Sequence, residues 1–247
     1  LADPGIVGIH AGAGVGVMLL LVLPVSVREA SALAQPVAAF VGAGAAALLV
    51  YGFAFKDGGV TATRLLLVGV GVAAGLSAVM LLLALRMNDQ VFAYAVAWQS
   101  GSVAGKGWAP IRVLAPLLAA LVPLALLQAR RLDVLGFGRD VATGLGVAVE
   151  RQRLGLLALS VGLSASAVAL AGSISFVGLI APHMARSIVG PRHANLLPSA
   201  ALLGGLLVLV ADTAGRTLFG TTELPAGVMV AAVGAPYFLY LLGRSKA

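Results

Sequence analysis

Seven long apolar runs constrain this chain more than any other feature of it. They cover residues 6–27, 33–55, 65–85, 109–127, 154–174, 197–218 and 224–242. Each is close to the ~20 residues that an α-helix needs to cross ~30 Å of hydrocarbon. Lipid offers no partner to backbone N–H and C=O groups, so runs of this kind must bond internally as helices or close into a barrel. Their continuous apolarity, without two-residue alternation, selects helices. Composition agrees: 60% of the residues are hydrophobic and 10% charged, against roughly half and a quarter in soluble domains. The predicted fold class is therefore all-α, a polytopic membrane helical bundle. The chain opens on Leu1 and enters an apolar run without a charged leader region or cleavage site, so this run is not expected to be a signal peptide. It carries the expectation of a natural protein that extends further toward the N-terminus.

An eighth crossing is predicted in residues 176–188, within GSISFVGLIAPHMARSIVG at 172–190. Pro182, His183 and Arg186 make this a short segment, expected to break at Pro182. Interrupted membrane segments are often where transporters work. Residues 91–103 are too short to span and read as a re-entrant or surface helix. Counting eight crossings from a cytoplasmic Leu1 puts eleven of the sixteen basic residues inside: Lys56, Arg64, Arg130, Arg131, Arg139, Arg151, Arg153, Arg186, Arg192, Arg244 and Lys246. Cytoplasmic loops carry such an excess. The net charge of +7 is thus an orientation signal and not a nucleic-acid footprint.

Gly8, Gly12 and Gly16 recur every fourth residue and form one smooth helix face, and Gly71 and Gly75 repeat the pattern. Such faces let helices pack closely in lipid; lining of a permeation path is the alternative. The longest hydrophilic segment, 128–153, places Leu132, Leu135, Val141 and Leu145 at spacings of short amphipathic helices, interrupted by Gly136, Gly138, Gly144 and Gly146. An orientation loop needs only a few residues. The segment reads as a cytoplasmic docking surface, or else as a solvated basic loop near anionic headgroups.

Enzymatic chemistry finds no support. Residues 101–107, GSVAGKG, lack the hydroxyl after the lysine and the preceding strand of a phosphate-binding loop. The absence of cysteine excludes disulfides and thiolate metal sites. His10, His183 and His193 have no metal-ligand spacing and read as packing or interfacial residues. An ion-coupled secondary transporter would need ionisable groups near mid-membrane, and only Asp212 approaches a helix interior. A non-transporting membrane scaffold is a third reading.

Residues 172–190, followed by LLPSAALLG at 196–204, ADTAGR at 211–216, ELPAG at 223–227 and GAPYFLYLL at 234–242, resemble the C-terminal half of FecCD-type permeases. LADPGIVGIHAG at 1–12, WQSGSVAGKGW at 98–108 and the loop at 132–147 resemble further segments of that family in the same order. The resemblance implies the membrane subunit of an ABC importer for iron-siderophores, haem or cobalamin, with about eight of ten membrane helices in this chain. Residues 1–247 would form one permease domain with a coupling loop at 128–153. Leu132, Asp133, Leu135, Gly138, Arg139, Asp140, Leu145 and Gly146 would meet the ATPase subunit. Arg139 departs from the acidic residue common there, with Asp140 adjacent. Leu1, Ala2, Asp3 and Pro4, with Ala62 and Thr63, would close the path toward the cytoplasm, although Thr63 also reads as a helix N-cap. Arg216 would meet the substrate-binding protein, or else pair locally with Asp212 at i,i+4 spacing. The implied partners are a second permease subunit (identical or paired), two ATP-binding cassette subunits holding ATP and magnesium, an extracytoplasmic binding protein, and lipid. No cofactor is expected on this chain, and no nucleic acid. The implied location is the bacterial cytoplasmic membrane, and a ferric siderophore is the expected cargo.

Overall fold

A computed structural model of the chain describes residues 8–24, 33–56, 59–104, 107–218 and 224–244. Among these residues there are eleven α-helices and no strand: α1 (Ile9–Val22), α2 (Ala34–Ala54), α3 (Ala62–Ala84), α4 (Asp89–Gln99), α5 (Trp108–Leu127), α6 (Ala129–Gly136), α7 (Arg139–Gly144), α8 (Val149–Ala171), α9 (Val177–Val189), α10 (His193–Thr217) and α11 (Ala226–Arg244). Helices α2, α3, α5, α8 and α10 are long and apolar enough to cross a membrane. Helix α1, α9 and the first part of α11 are shorter apolar helices. Together these fall on the eight crossings read from the sequence, so the all-α membrane bundle is borne out. Helix α4 is too short to span, as expected of residues 91–103. It begins where the Asn88 side chain accepts the Val91 N–H at 2.9 Å, an N-cap that satisfies one orphan donor.

Small residues set the packing. Helix α1 lies on α2 with Gly12 and Gly16 against Gly42 and Ala38, so close that a Cβ on either α1 glycine would collide with the facing backbone. Ala39, Ala43 and Ala47 of α2 continue this seam into a core with Val17 of α1, Trp98 of α4, Leu114 of α5, and Ala165 and Val168 of α8. Lipid tails are as apolar as leucine, so close van der Waals contact and not water exclusion must hold such helices together. Large apolar side chains such as Leu48, Phe53, Leu81 and Leu202 accordingly point outward.

The glycine reading is refined at two places. Gly8 shares the close approach, its Cβ position lying 3.7 Å from the Gly69 carbonyl oxygen and 3.8 Å from the Ala73 nitrogen of α3, and it is also the N-cap of α1 at φ +78. Gly71 and Gly75 face open space, and Gly69 is the one buried residue described in α3. The periodicity is real, but α3 lies at the margin of this chain's own bundle.

Helices α9, α10 and α11 pack on one another as a second group. Pro182 does not break its segment: α9 runs continuously through it. Loss of one donor, that of Pro182, is tolerated within a packed apolar helix. The interruption lies earlier, at 172–176, where Gly172 (φ +73) ends α8 and Phe176 (φ +67) begins α9. Here three chain segments meet. The Gly227 N–H donates to the Gly101 carbonyl at 2.9 Å and the Ser102 N–H to that of Ala171 at 2.8 Å. Cβ atoms at Gly172 and Gly227 would strike the carbonyls of Trp98 and Ser100. At the other end, Arg153 Nη1 donates to the Val60 carbonyl at 3.5 Å and Asp133 meets His193. Segments that the eight-crossing count assigns to one side of the membrane are thus the ones that touch.

Candidate functional site

The segment at 128–153 folds as two short helices, α6 and α7, followed by the first turns of α8. The loop therefore ends before Val149, and Glu150, Arg151 and Arg153 are helical. Gly138 joins the short helices at φ +99 and ψ +165, a region that is essentially glycine-only. Helix α7 closes with Gly146 (φ +78), whose N–H donates to the Thr143 carbonyl at 2.9 Å while the Val147 N–H donates to that of Ala142 at 3.0 Å. This is a Schellman arrangement, satisfying two carbonyls that the helix end leaves open. Arg139 opens α7, and Asp140 stands exposed in its first turn, where the helix dipole favours a negative charge.

The two helices present apolar groups to opposite sides. Phe137, Val141 and Leu145 are 71%, 51% and 66% exposed. Leu132 and Leu135 turn inward and line a cavity of about 430 Å³ with Thr61, Ala62, Leu65, Glu150 and Arg153. The fold thereby brings Ala62, expected at a gate, beside the loop expected to meet an ATPase.

Asp133 is held on the side of α6 that meets α10. Its Oδ1 accepts the His193 backbone N–H at 3.0 Å and lies 2.6 Å from His193 Nδ1. These bonds, first the backbone one and then the imidazole, hold its carboxyl below the usual carboxylate range, with Arg192 adding to the effect. The sequence reading marked both residues but gave no sign that they pair, because sixty positions separate them.

Ala62 and Thr63 are the first two residues of α3, and both are exposed. The N-cap is Thr61, whose Oγ1 accepts the Arg64 N–H at 3.4 Å, and not Thr63. The helix starts two residues earlier than expected, so Thr63 already has helical geometry. Leu1, Ala2, Asp3 and Pro4 lie outside the described residues. Arg216 Nη2 pairs with Asp212 Oδ2 at 2.7 Å within α10; the aspartate is buried and the arginine half-exposed.

One feature escaped the sequence reading. A cavity of about 580 Å³ is bounded by α1, α3, α4, residues 173–176, α9 and α11, and His10, Ser77, Gln99, Ser173 and Ser175 give it polar groups. Only the scatter of these polar residues through apolar runs could have hinted at it. The Ser77 hydroxyl donates to the Ala73 carbonyl at 2.8 Å, which keeps it satisfied inside an apolar helix.

Residues 1–244 match the model of the FecCD transport family. The chain is 39% identical over 250 residues to the iron-uptake system permease protein FeuC of Bacillus subtilis (strain 168), covering all of this chain and 74% of that protein. It is 45% identical over 196 residues to the iron(3+)-hydroxamate import system permease protein FhuG of the same organism, covering 79% of this chain and 58% of FhuG. It is 40% identical over 183 residues to the hemin transport system permease protein HmuU of Yersinia pestis, covering 74% and 55%. The matched part is thus little more than half the length of FhuG and HmuU. Among solved structures, an inward-facing conformation of a metal-chelate type ABC transporter superposes with a TM-score of 0.87 at 29% identity, over 99% of this chain and 76% of that one.

Proposed function

Since the chain belongs to the FecCD transport family, we propose that it is the multi-pass permease subunit of a binding-protein-dependent ABC importer that carries a ferric siderophore into the cytoplasm of a bacterium. The observation that carries this reading is the pair α6 and α7: two short helices, joined and closed by glycines in positive-φ conformations, with an exposed apolar ridge of Phe137, Val141 and Leu145. Exposed apolar groups on a loop of basic character suit docking into a groove of an ATPase subunit better than solvation alone.

ATP and magnesium act on that partner, and this chain supplies conformational change and no catalysis. Residues 1–247 serve as one permease domain. The polar cavity beside His10, Ser77 and Gln99 is the stretch of the path nearest the outer segments, and Ala62 and Thr63, with Leu1, Ala2, Asp3 and Pro4, bound its cytoplasmic end. Arg216 meets the substrate-binding protein. The open face of α3, with Gly71 and Gly75, meets a second permease subunit. The siderophore is favoured over haem or cobalamin by the iron-related names of FeuC and FhuG; HmuU keeps haem as the runner-up.

The test is co-purification. The full-length protein, expressed with its ATPase subunit, retains that subunit, and Phe137→Asp combined with Leu145→Asp releases it while the membrane protein still folds. Undiminished retention in the double variant counts against the docking role.

A further inference from the structure

Helix α6 meets the bundle differently on two of its sides. Toward α3 and α8 its Leu132 and Leu135 border the cavity of about 430 Å³, and Arg131 Nη1 donates to Gln152 Oε1 of α8 at 3.4 Å. Toward α10 it packs directly, and Asp133 takes both the backbone N–H and the imidazole of His193. His193 is the first residue of α10. Its N–H is among those that a helix N-terminus leaves without an intrahelical acceptor, and a carboxylate there is also favoured by the helix dipole. Asp133 therefore acts as a cap supplied to α10 from another helix.

Helix α10 has 25 residues, a rod of about 37 Å at 1.5 Å per residue. It carries the Asp212–Arg216 pair near its far end and packs against α9 and α11. Those two helices contribute Leu179 and Phe238 to the polar cavity. A displacement of α6 can pass through α10 to that cavity wall, beside its links to α5 and, through Arg131 and Gln152, to α8.

We infer that Asp133 is a positioning residue: its clasp on His193 passes movement of the α6–α7 loop to the α9–α10–α11 group. This rests on the permease reading above for the source of the movement, while the clasp itself is a property of α6 and α10.

The experiment uses the full-length protein with its ATPase in proteoliposomes, the substrate-binding protein added, and radiolabelled ferric hydroxamate as the probe. The chain contains no cysteine, so with any cysteine elsewhere in the assembly replaced, Arg130→Cys and Asn195→Cys, both at exposed positions, confine spin labels to α6 and α10. Asp133→Ala should broaden the label-to-label distance distribution and lower uptake per ATP hydrolysed by about fivefold or more, the range of an ordinary coupling free energy. Asp133→Asn, which keeps an oxygen to accept the His193 N–H, should restore most of both. Unchanged distances in Asp133→Ala overturn the clasp. Broadened distances with unchanged uptake per ATP overturn its role in transmission and leave it a structural contact. Absence of ATP-dependent uptake of both ferric hydroxamate and haem by the unsubstituted protein defeats the permease reading instead, and the distances still decide whether α6 holds α10.

Discussion

Gly12 and Gly42 lie backbone to backbone: a methyl on either would collide with the carbonyl oxygen of the other. Gly42→Ala should therefore force α1 and α2 apart and destabilise the protein by about 1–3 kcal/mol, as overpacking of a tight core does. Gly44→Ala, two residues along the same helix but facing open space, should be neutral or slightly stabilising. Thermal unfolding of the detergent-solubilised pair checks this, and equal melting of the two variants would contradict the packing.

Gly71 and Gly75 give the opposite expectation. Each opens onto space within this chain, so Gly71→Leu should leave the unfolding of the isolated subunit unchanged. If α3 meets a second permease subunit, the same substitution should weaken the dimer, visible by light scattering of the detergent complex. A fully retained dimer would remove α3 from the interface.

Gly138 and Gly146 serve the loop through conformation and not contact, since neither has a neighbour where its Cβ would stand. Gly138→Val should cost about 1–3 kcal/mol of local strain and redirect α7. ATP-driven uptake should fall severalfold while the amount of folded protein in the membrane is maintained. Normal uptake by this variant would show that the turn can be built another way.

Arg216→Ala leaves the carboxylate of Asp212, which is buried in α10, without its partner at 2.7 Å. The cost should be about 1–3 kcal/mol, that of a buried polar group left unmet. Arg216→Ala with Asp212→Ala should recover much of this stability. If Arg216 also meets the binding protein, the double variant will still bind it poorly. Titration with that protein at two salt concentrations separates the two roles.

The clasp has a defined pH response. The folded state depresses the Asp133 pKa, so its contribution is complete above the ordinary aspartate value of about 3.9 and is lost as pH falls through the lower folded value. Hydrogen exchange in α6 should accordingly hold steady between about pH 5 and 7 once corrected for intrinsic rates. A release of α6 inside that window would show that ionisation of Asp133 does not govern the contact.

The sequence by itself determined the membrane-spanning class, the eight apolar segments and the two short helices after α5. These follow from run length and helical periodicity, which act over at most a few turns and are written in neighbouring residues. The glycine seam of α1 was largely legible: its period identified a close-packing face, but only the bundle showed that Gly12 and Gly16 turn it to α2, that Gly8 meets α3 while starting the helix, and that Gly71 and Gly75 stay open. The proline at 182 misled, because a locally helix-breaking residue is overridden when surrounding packing holds the helix. Tertiary structure alone decided the Asp133–His193 clasp, the meeting of Ala62 with Leu132 and Leu135 around one cavity, and the polar cavity beside His10. Each joins residues tens of positions apart, and their pairing depends on which helices lie side by side, a choice that no local pattern of polarity encodes.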